Sequence, residues 1–235
     1  MDRSCIKVNI KNFKRKKIII TVSIIVIIVL IAVLGGVLIK MRGEQKQMSA
    51  LPTGEFLPGI HAINCDFVNM FLIECDGGSY IAIDAGANKD SVAKGLSQSG
   101  ISSDDVSAVL MTHTHGDHTA GLSLFDKAVV YGLKESVVDQ TVSDGETISI
   151  NGKTIQVIAT PGHADDSVCY LINGEYLFAG DNMSLVNGKV GLFNSVYNKS
   201  DGQQKSDIAK LSELSGVRYV ITAHYGFAET PVYSE

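Results

Sequence analysis

Residues 18–39 read IIITVSIIVIIVLIAVLGGVLI, 22 positions without a single charge. No polar stripe interrupts the run, as one would on a helix lying over a soluble core. At about 1.5 Å per residue it spans about 33 Å as a helix, enough to cross the hydrocarbon of a bilayer. A cleavable signal has an apolar stretch of about 7–15 residues and ends at a small-residue site, which is hard to find here. The run is therefore expected to be an uncleaved, single-pass transmembrane anchor.

Basic residues set its orientation. Residues 1–17 carry Arg3, Lys7, Lys11, Lys14, Arg15, Lys16 and Lys17 against Asp2, whereas 40–48 carry Lys40, Arg42 and Lys46 against Glu44. The positive-inside rule keeps 1–17 in the cytoplasm as a basic tail and sends the rest outside the cell membrane. Charge divides at the same place. Residues 1–40 hold 8 lysines and arginines and one acid, residues 41–235 hold 12 against 24, and the whole chain has a net charge of −5. The tail suits anionic lipid, while the acidic remainder is poorly suited to nucleic acid, so no nucleic-acid partner is expected. Cys5, Cys65, Cys75 and Cys169 are too few for a disulfide scaffold, and Cys75 and Cys169 sit in apolar runs as buried thiols do.

Residues 40–55 read as a polar, Gly/Pro-punctuated linker, and 56–235 as one folded domain. Strand-like runs at 67–75 and 79–86 meet across DGG. Helices are expected over 88–100 and 202–216, with a short one from Thr119. Further strands are expected over 106–113, 128–132 and 217–224. Asn151-Gly152 and Asn173-Gly174 mark hairpins within 147–160 and 167–181. Many strands with few helices suggest two sheets sandwiched between helices.

Half of the six histidines fall in the stretch HTHGDH, which follows the apolar run VSAVLM. On a helix His113 and His115 would diverge, but on an extended strand end positions i and i+2 share a face. Gly116 lets the loop curl, bringing Asp117 and His118 round to the same pocket. Imidazole and carboxylate at this density suit zinc, and tolerate iron or manganese. His163 in IATPGH, Asp181 in LFAGD and His224 in VITAH also stand where apolar runs give way to loops. His61, in PGIHAIN, has no such placement and reads as structural or rim.

These segments together resemble the metallo-β-lactamase superfamily of metallohydrolases. The resemblance covers 56–226 through LPGIHAINCDFVNMFLIE, YIAIDAG, THTHGDH, TPGH, FAGD and TAHYG. It implies an α/β (α+β) fold, the four-layer αββα sandwich, here preceded by one N-terminal transmembrane helix. It implies two Zn²⁺ (with Fe or Mn possible): His113, His115 and His163 would hold one metal, Asp117, His118 and His224 the second, and Asp181 would bridge. Asp84 would orient a ligand histidine, and Asp117 would relay a proton. The implied activity is hydrolysis of a small ester, thioester or lactone by a metal-bridging hydroxide.

Asp181 stands where many β-lactamases of the superfamily have cysteine or serine, which favours the glyoxalase-II/lactonase-like branch. Only 11 residues follow His224, too few for the helical domain that grips glutathione in hydroxyacylglutathione hydrolases. PGHADDS replaces the family's PGHTPGS, placing Asp165 and Asp166 beside His163. The Gly/Asn-rich excursion 182–201 is a candidate lid, and Asn182, Tyr197 and Tyr225 are candidate substrate contacts. The alternatives are a β-lactamase, a mononuclear-iron dioxygenase of the persulfide type, and a non-catalytic metal-binding sensor.

Overall fold

The structure, a computed structural model, describes residues 3–45, 48–135 and 137–233. It divides into two compact units, Met1–Lys46 and Gln47–Glu235.

The first unit is one helix, α1 (Arg3–Gln45). Its isoleucines and valines are mediocre helix formers in water. An apolar solvent reverses that preference, because only intrasegment hydrogen bonds then satisfy the backbone. Within Lys16–Gly43 the most apolar 18-residue stretch has a mean hydropathy of 3.3, and none of that stretch is buried. This helix is long and apolar enough to cross a membrane, a property that anchors and N-terminal signal sequences share.

The second unit is built on two large sheets. β1 (Gly54–Leu57), β2 (Ile60–Cys65), β3 (Val68–Glu74) and β4 (Tyr80–Ile83) pair antiparallel in chain order. α2 (Lys89–Ser99) then leads to β5 (Val106–Leu110), the single turn α3 (Gly116–Thr119), β6 (Val129–Gly132) and β7 (Gln140–Thr141). β5, β6 and β7 extend the first sheet in parallel.

β8 (Thr147–Ile150), β9 (Lys153–Ala159), β10 (Val168–Ile172) and β11 (Tyr176–Phe178) begin the second sheet as two hairpins. β12 (Ser184–Val186) and β13 (Lys189–Gly191) form a hairpin apart. α4 (Asp201–Ser212) crosses over to β14 (Tyr219–Thr222), which pairs parallel to β11, and β15 (Gly226–Glu229) closes the edge. β16 (Val232–Tyr233) joins β13.

Three apolar layers hold this together. Phe71, Ile83, Leu110, Tyr170, Phe178 and Ile221 fill the space between the sheets. Val92 and Leu96 of α2 pack on Met70 and Val109, and Leu211 of α4 packs with Leu177 and Val220. The result is the expected αββα sandwich.

Local chemistry explains the element ends. Asn88 caps α2 by accepting from Ser91 N at 2.7 Å, and Gly100 closes it in the left-handed region (φ 67°). Asn151-Gly152 and Asn173-Gly174 have positive φ at both positions, as two-residue hairpins require. Asn187-Gly188 does the same between β12 and β13, inside the Gly/Asn-rich excursion 182–201. The stretch read as a linker also differs. It is helical to Gln45, and from Met48 it lies on the domain: Leu51 N donates to Asn69 Oδ1 (2.7 Å) and Ser49 N to His224 O (2.8 Å). Asn69 is buried, and this segment supplies the partners its amide needs.

Candidate metal centre

β4, β5, β9, β11 and β14 end along one edge of the sandwich, and each hands the chain to a polar residue. Asp84 follows β4, the loop from His113 to His118 follows β5, His163 follows β9, Asp181 follows β11 and His224 follows β14. The ligand atoms of His113, His115 and His163 lie within 4.8 Å of one another. The same holds for His113, His118 and Asp181, and for Asp117, His118 and His224.

Asp181 sits among four imidazoles. Its Oδ2 lies 3.2 Å from His224 Nε2, 3.5 Å from His163 Nε2 and 4.0 Å from His113 Nε2, and its Oδ1 lies 3.4 Å from His118 Nε2. Asp117 Oδ2 approaches His224 Nε2 at 3.5 Å and His118 Nε2 at 3.8 Å. Asp181 is sealed from solvent, whereas Asp117 and His115 open to it.

Nδ1 of each buried ring is tied back. His118 Nδ1 donates to Asp84 Oδ2 (2.7 Å) and His224 Nδ1 to the carbonyl of Phe67 (2.8 Å). Thr112 Oγ1 gives its proton to Asp84 Oδ2 (2.8 Å), so it accepts from His113 Nδ1 (3.1 Å). His163 Nδ1 lies 3.1 Å from Asn198 Oδ1. Each of these rings therefore turns Nε2 inward, and His115 offers Nδ1, 3.0 Å from His163 Nε2. Asp84 does this from a left-handed backbone (φ 61°), a strained conformation that its bonds to Thr112 and His118 hold in place.

The donor set fits a metal centre. Nε2 of His113, His118 and His224 and Oδ1 of Asp181 are buried without a hydrogen-bond partner. Such groups are costly unless an ion completes them. The charges respond to this crowding. Burial pulls His113 well below the usual histidine range, with the His118 ring adding to it. Burial alone would raise Asp181, but His224 and His118 hold it well below the usual carboxylate range. Burial opposes protonation of His224, yet Asp181 and Asp117 outweigh it and raise the ring to about 9.

The sequence reading missed residues that reach the site only through the fold. Thr112 and the Phe67 carbonyl orient rings, and Phe193 stands edge-on to His163 at 5.0 Å. His61 lies in β2 against the ring of Tyr80 at 6.2 Å and belongs to none of the ligand groups. Among the suggested substrate contacts, Tyr197 is exposed and Asn182 is buried with its amide unpartnered. Tyr225 packs edge-on to Phe193 at 6.0 Å. Asp165 pairs with Lys199 on the surface.

A family model described as the metallo-beta-lactamase superfamily matches residues 63–136. A metallo-beta-lactamase family protein from Thermus thermophilus superposes with a TM-score of 0.59 at 22% identity, over 74% of this chain and 75% of that one. The domain has the metallo-β-lactamase fold. The family model covers the stretch from β2 to the segment after β6, and the likeness to the solved structure is one of fold. The chain is also 29% identical over 166 residues to the lactamase-like protein notP of Aspergillus sp. (strain MF297-2), across 61% of its own length. It is 36% identical over 118 residues, 46% of its length, to the lactamase-like protein aptB of Emericella nidulans. The chain spans 50% of the first relative and 37% of the second.

Proposed function

We propose that this chain is a dinuclear zinc hydrolase of a small ester, thioester or lactone, anchored by residues 18–39 with its metallo-β-lactamase domain outside the cell. The observation that carries the reading is the convergence of seven donor side chains with four buried atoms left open for an ion. His113, His115 and His163 would hold one ion, Asp117, His118 and His224 the other, and Asp181 would touch both. Bound zinc supplies Lewis acidity, which makes water a nucleophile near neutral pH.

The chain's own groups do the rest. Asp84, Thr112, Asn198 and the Phe67 carbonyl fix which nitrogen of each buried imidazole carries the proton. Asp181 stays ionised among the four rings. Asp117 is the carboxylate at the cluster with solvent access, so it can take a proton and return it to water. Phe67, stacked on His224 at 5.7 Å, and Phe193 cover the His224 ring. Aspartate at position 181 supports the glyoxalase-II/lactonase-like branch over a β-lactamase.

The test is elemental analysis of the full chain purified in detergent, followed by ester, thioester, lactone and nitrocefin turnover with and without chelator. Two zinc ions per chain and chelator-sensitive ester, thioester or lactone turnover are expected. One iron per chain with oxygen consumption, metal without turnover, or nitrocefin as the preferred substrate would overturn the reading. For topology, protease added to intact cells should degrade the domain, and protection until lysis would reverse the orientation.

A further inference from the structure

Asn198 and Gln204 face one another as a closed pair of side-chain amides. Asn198 Nδ2 donates to Gln204 Oε1 at 2.8 Å, and Gln204 Nε2 donates back to Asn198 Oδ1 at 3.1 Å. Gln204 is fully buried; its Oε1 also accepts from Phe193 N (2.9 Å), and its Nε2 also reaches the Asp181 carbonyl (3.2 Å). Asn198 Nδ2 has two further acceptors, the Phe193 carbonyl at 3.1 Å and Asp201 Oδ1 at 2.9 Å. Flipping the Asn198 amide would aim its oxygen at three acceptors and break its hydrogen bond to each of them. One orientation is therefore enforced, and it presents Oδ1 to His163 Nδ1 at 3.1 Å.

An amide oxygen only accepts, so the His163 proton is placed on Nδ1 and the lone pair of Nε2 is kept for the cluster. The backbone reinforces the same contact. Lys199 N donates to His163 O and Ser200 N to Gly162 O, both at 2.9 Å, and Asp207 Oδ2 accepts from Gly162 N at 2.8 Å. A Cβ at Gly162 would stand 2.3 Å from Gln204 N, so the loop bearing His163 is seated directly on α4.

We infer that Asn198, held in orientation by Gln204, is a positioning residue that selects the metal-binding tautomer of His163. The inference rests on the metal-centre reading and concerns neither the substrate nor the reaction. It makes the end of the 182–201 excursion part of the ligand support: the amides that set His163 also bond both backbone groups of Phe193.

The experiment uses the full chain in detergent and zinc alone. Zinc affinity is measured by competition with a chromophoric chelator for the unmutated chain, N198L and Q204L, alongside each melting temperature without metal. The His163 tautomer is read from long-range ¹H–¹⁵N spectra of the metal-free unmutated chain, so the result does not depend on whether a variant folds. His163 should carry its proton on Nδ1. N198L should lose about 10–100-fold in affinity at one ion, the usual effect of removing a ligand's outer partner. Q204L should lose less affinity but melt lower, because it also gives up the bonds to Phe193 and Asp181. A proton on Nε2, an N198L affinity within twofold of the unmutated chain, or affinity losses that follow melting temperature would each overturn the inference. An unmutated chain that takes up no zinc would end the metal-centre reading itself, and this inference with it.

Discussion

The two ends of the sandwich treat polar groups in opposite ways. At the end bearing Asn151 and Asn173, these turn amides are exposed and partnered. Asn151 Nδ2 donates to Ser79 Oγ (3.0 Å) and Ser107 Oγ (2.8 Å), and Asn173 Oδ1 accepts from Thr154 N (3.0 Å). At the other end, imidazole and carboxylate atoms are buried and left open. An unsatisfied buried group costs about 1–3 kcal/mol. Folding explains the first end, because Asn173 serves its hairpin and Asn151 ties its own turn to Ser79 and Ser107. Folding alone does not explain the second, where the His/Asp clusters could hold a metal ion.

The largest expected effect comes from emptying the ligand end. Asp181→Ala removes the carboxylate shared by four rings, so zinc affinity should fall by well over the ~100-fold typical of an outer-partner loss, and turnover should vanish. Asn173→Ala, at the far end, should leave zinc content untouched and cost about 1 kcal/mol for placing alanine in the left-handed region (φ 52°). Equal zinc stoichiometry in the two variants, measured by elemental analysis, would erase the distinction between the ends.

Much of this was legible in the sequence, and the boundary between what was and was not is physical. HTHGDH, His163, Asp181 and His224 stand out because apolar strands deliver them, and strand ends can be read from local patterning. Asp84 is similar, following YIAI. The fold class follows from the same strands, with Asn-Gly turns marking the hairpins. The hairpin within the excursion carried the same mark at Asn187-Gly188, but its strands of three residues show too little alternation to declare themselves. Asn198 and Gln204 look like ordinary polar residues, since their meaning depends on contacts with His163 and Asp181 that only the folded chain provides. The Phe67 carbonyl is invisible in principle, because every residue has one.

Asp84→Asn sharpens the comparison from within the ligand end. The amide oxygen can still accept, but the NH2 must face either Thr112 N–H or both His118 Nδ1–H and Thr112 Oγ1–H. Zinc affinity should fall by about 10–100-fold, while melting without metal changes far less. If affinity is unchanged, Asp84 is only a strand-end turn former.

Two glycines set the same backbone demand in the two different ends. Gly174 (φ 69°) has nothing within 4 Å of a would-be Cβ, whereas at Gly180 (φ 52°) the Cβ would stand 2.7 Å from Thr112 Oγ1. Gly174→Ala should cost about 1 kcal/mol by chemical denaturation. Gly180→Ala should cost a further 1–3 kcal/mol or so from overlap and should also weaken zinc binding, because displacing Thr112 disturbs His113 and Asp84. Equal destabilisation of the two variants would mean that the strand end bearing Asp181 is not packed as described.

The smallest effect concerns burial without a ligand. Cys169 lies in β10 of the second sheet, and burial pushes its thiol from 9.0 up to about 12, against a small opposing pull from its contact with Thr160. The folded chain thus keeps this proton to higher pH than the unfolded chain does. Its contribution to stability is complete below about pH 9 and is lost as pH rises from there toward 12. Between pH 8 and 10 the unfolded state should gain about 1 kcal/mol from releasing that proton first. Cys169→Ala should flatten the pH dependence of the denaturation midpoint over this range. The native thiol should also resist disulfide reagents at pH 8 and react once the chain unfolds. Unlike the histidines, this group has no open valence to fill, so adding zinc should leave its reactivity unchanged; a zinc-dependent thiol would place metal chemistry outside the strand-end cluster.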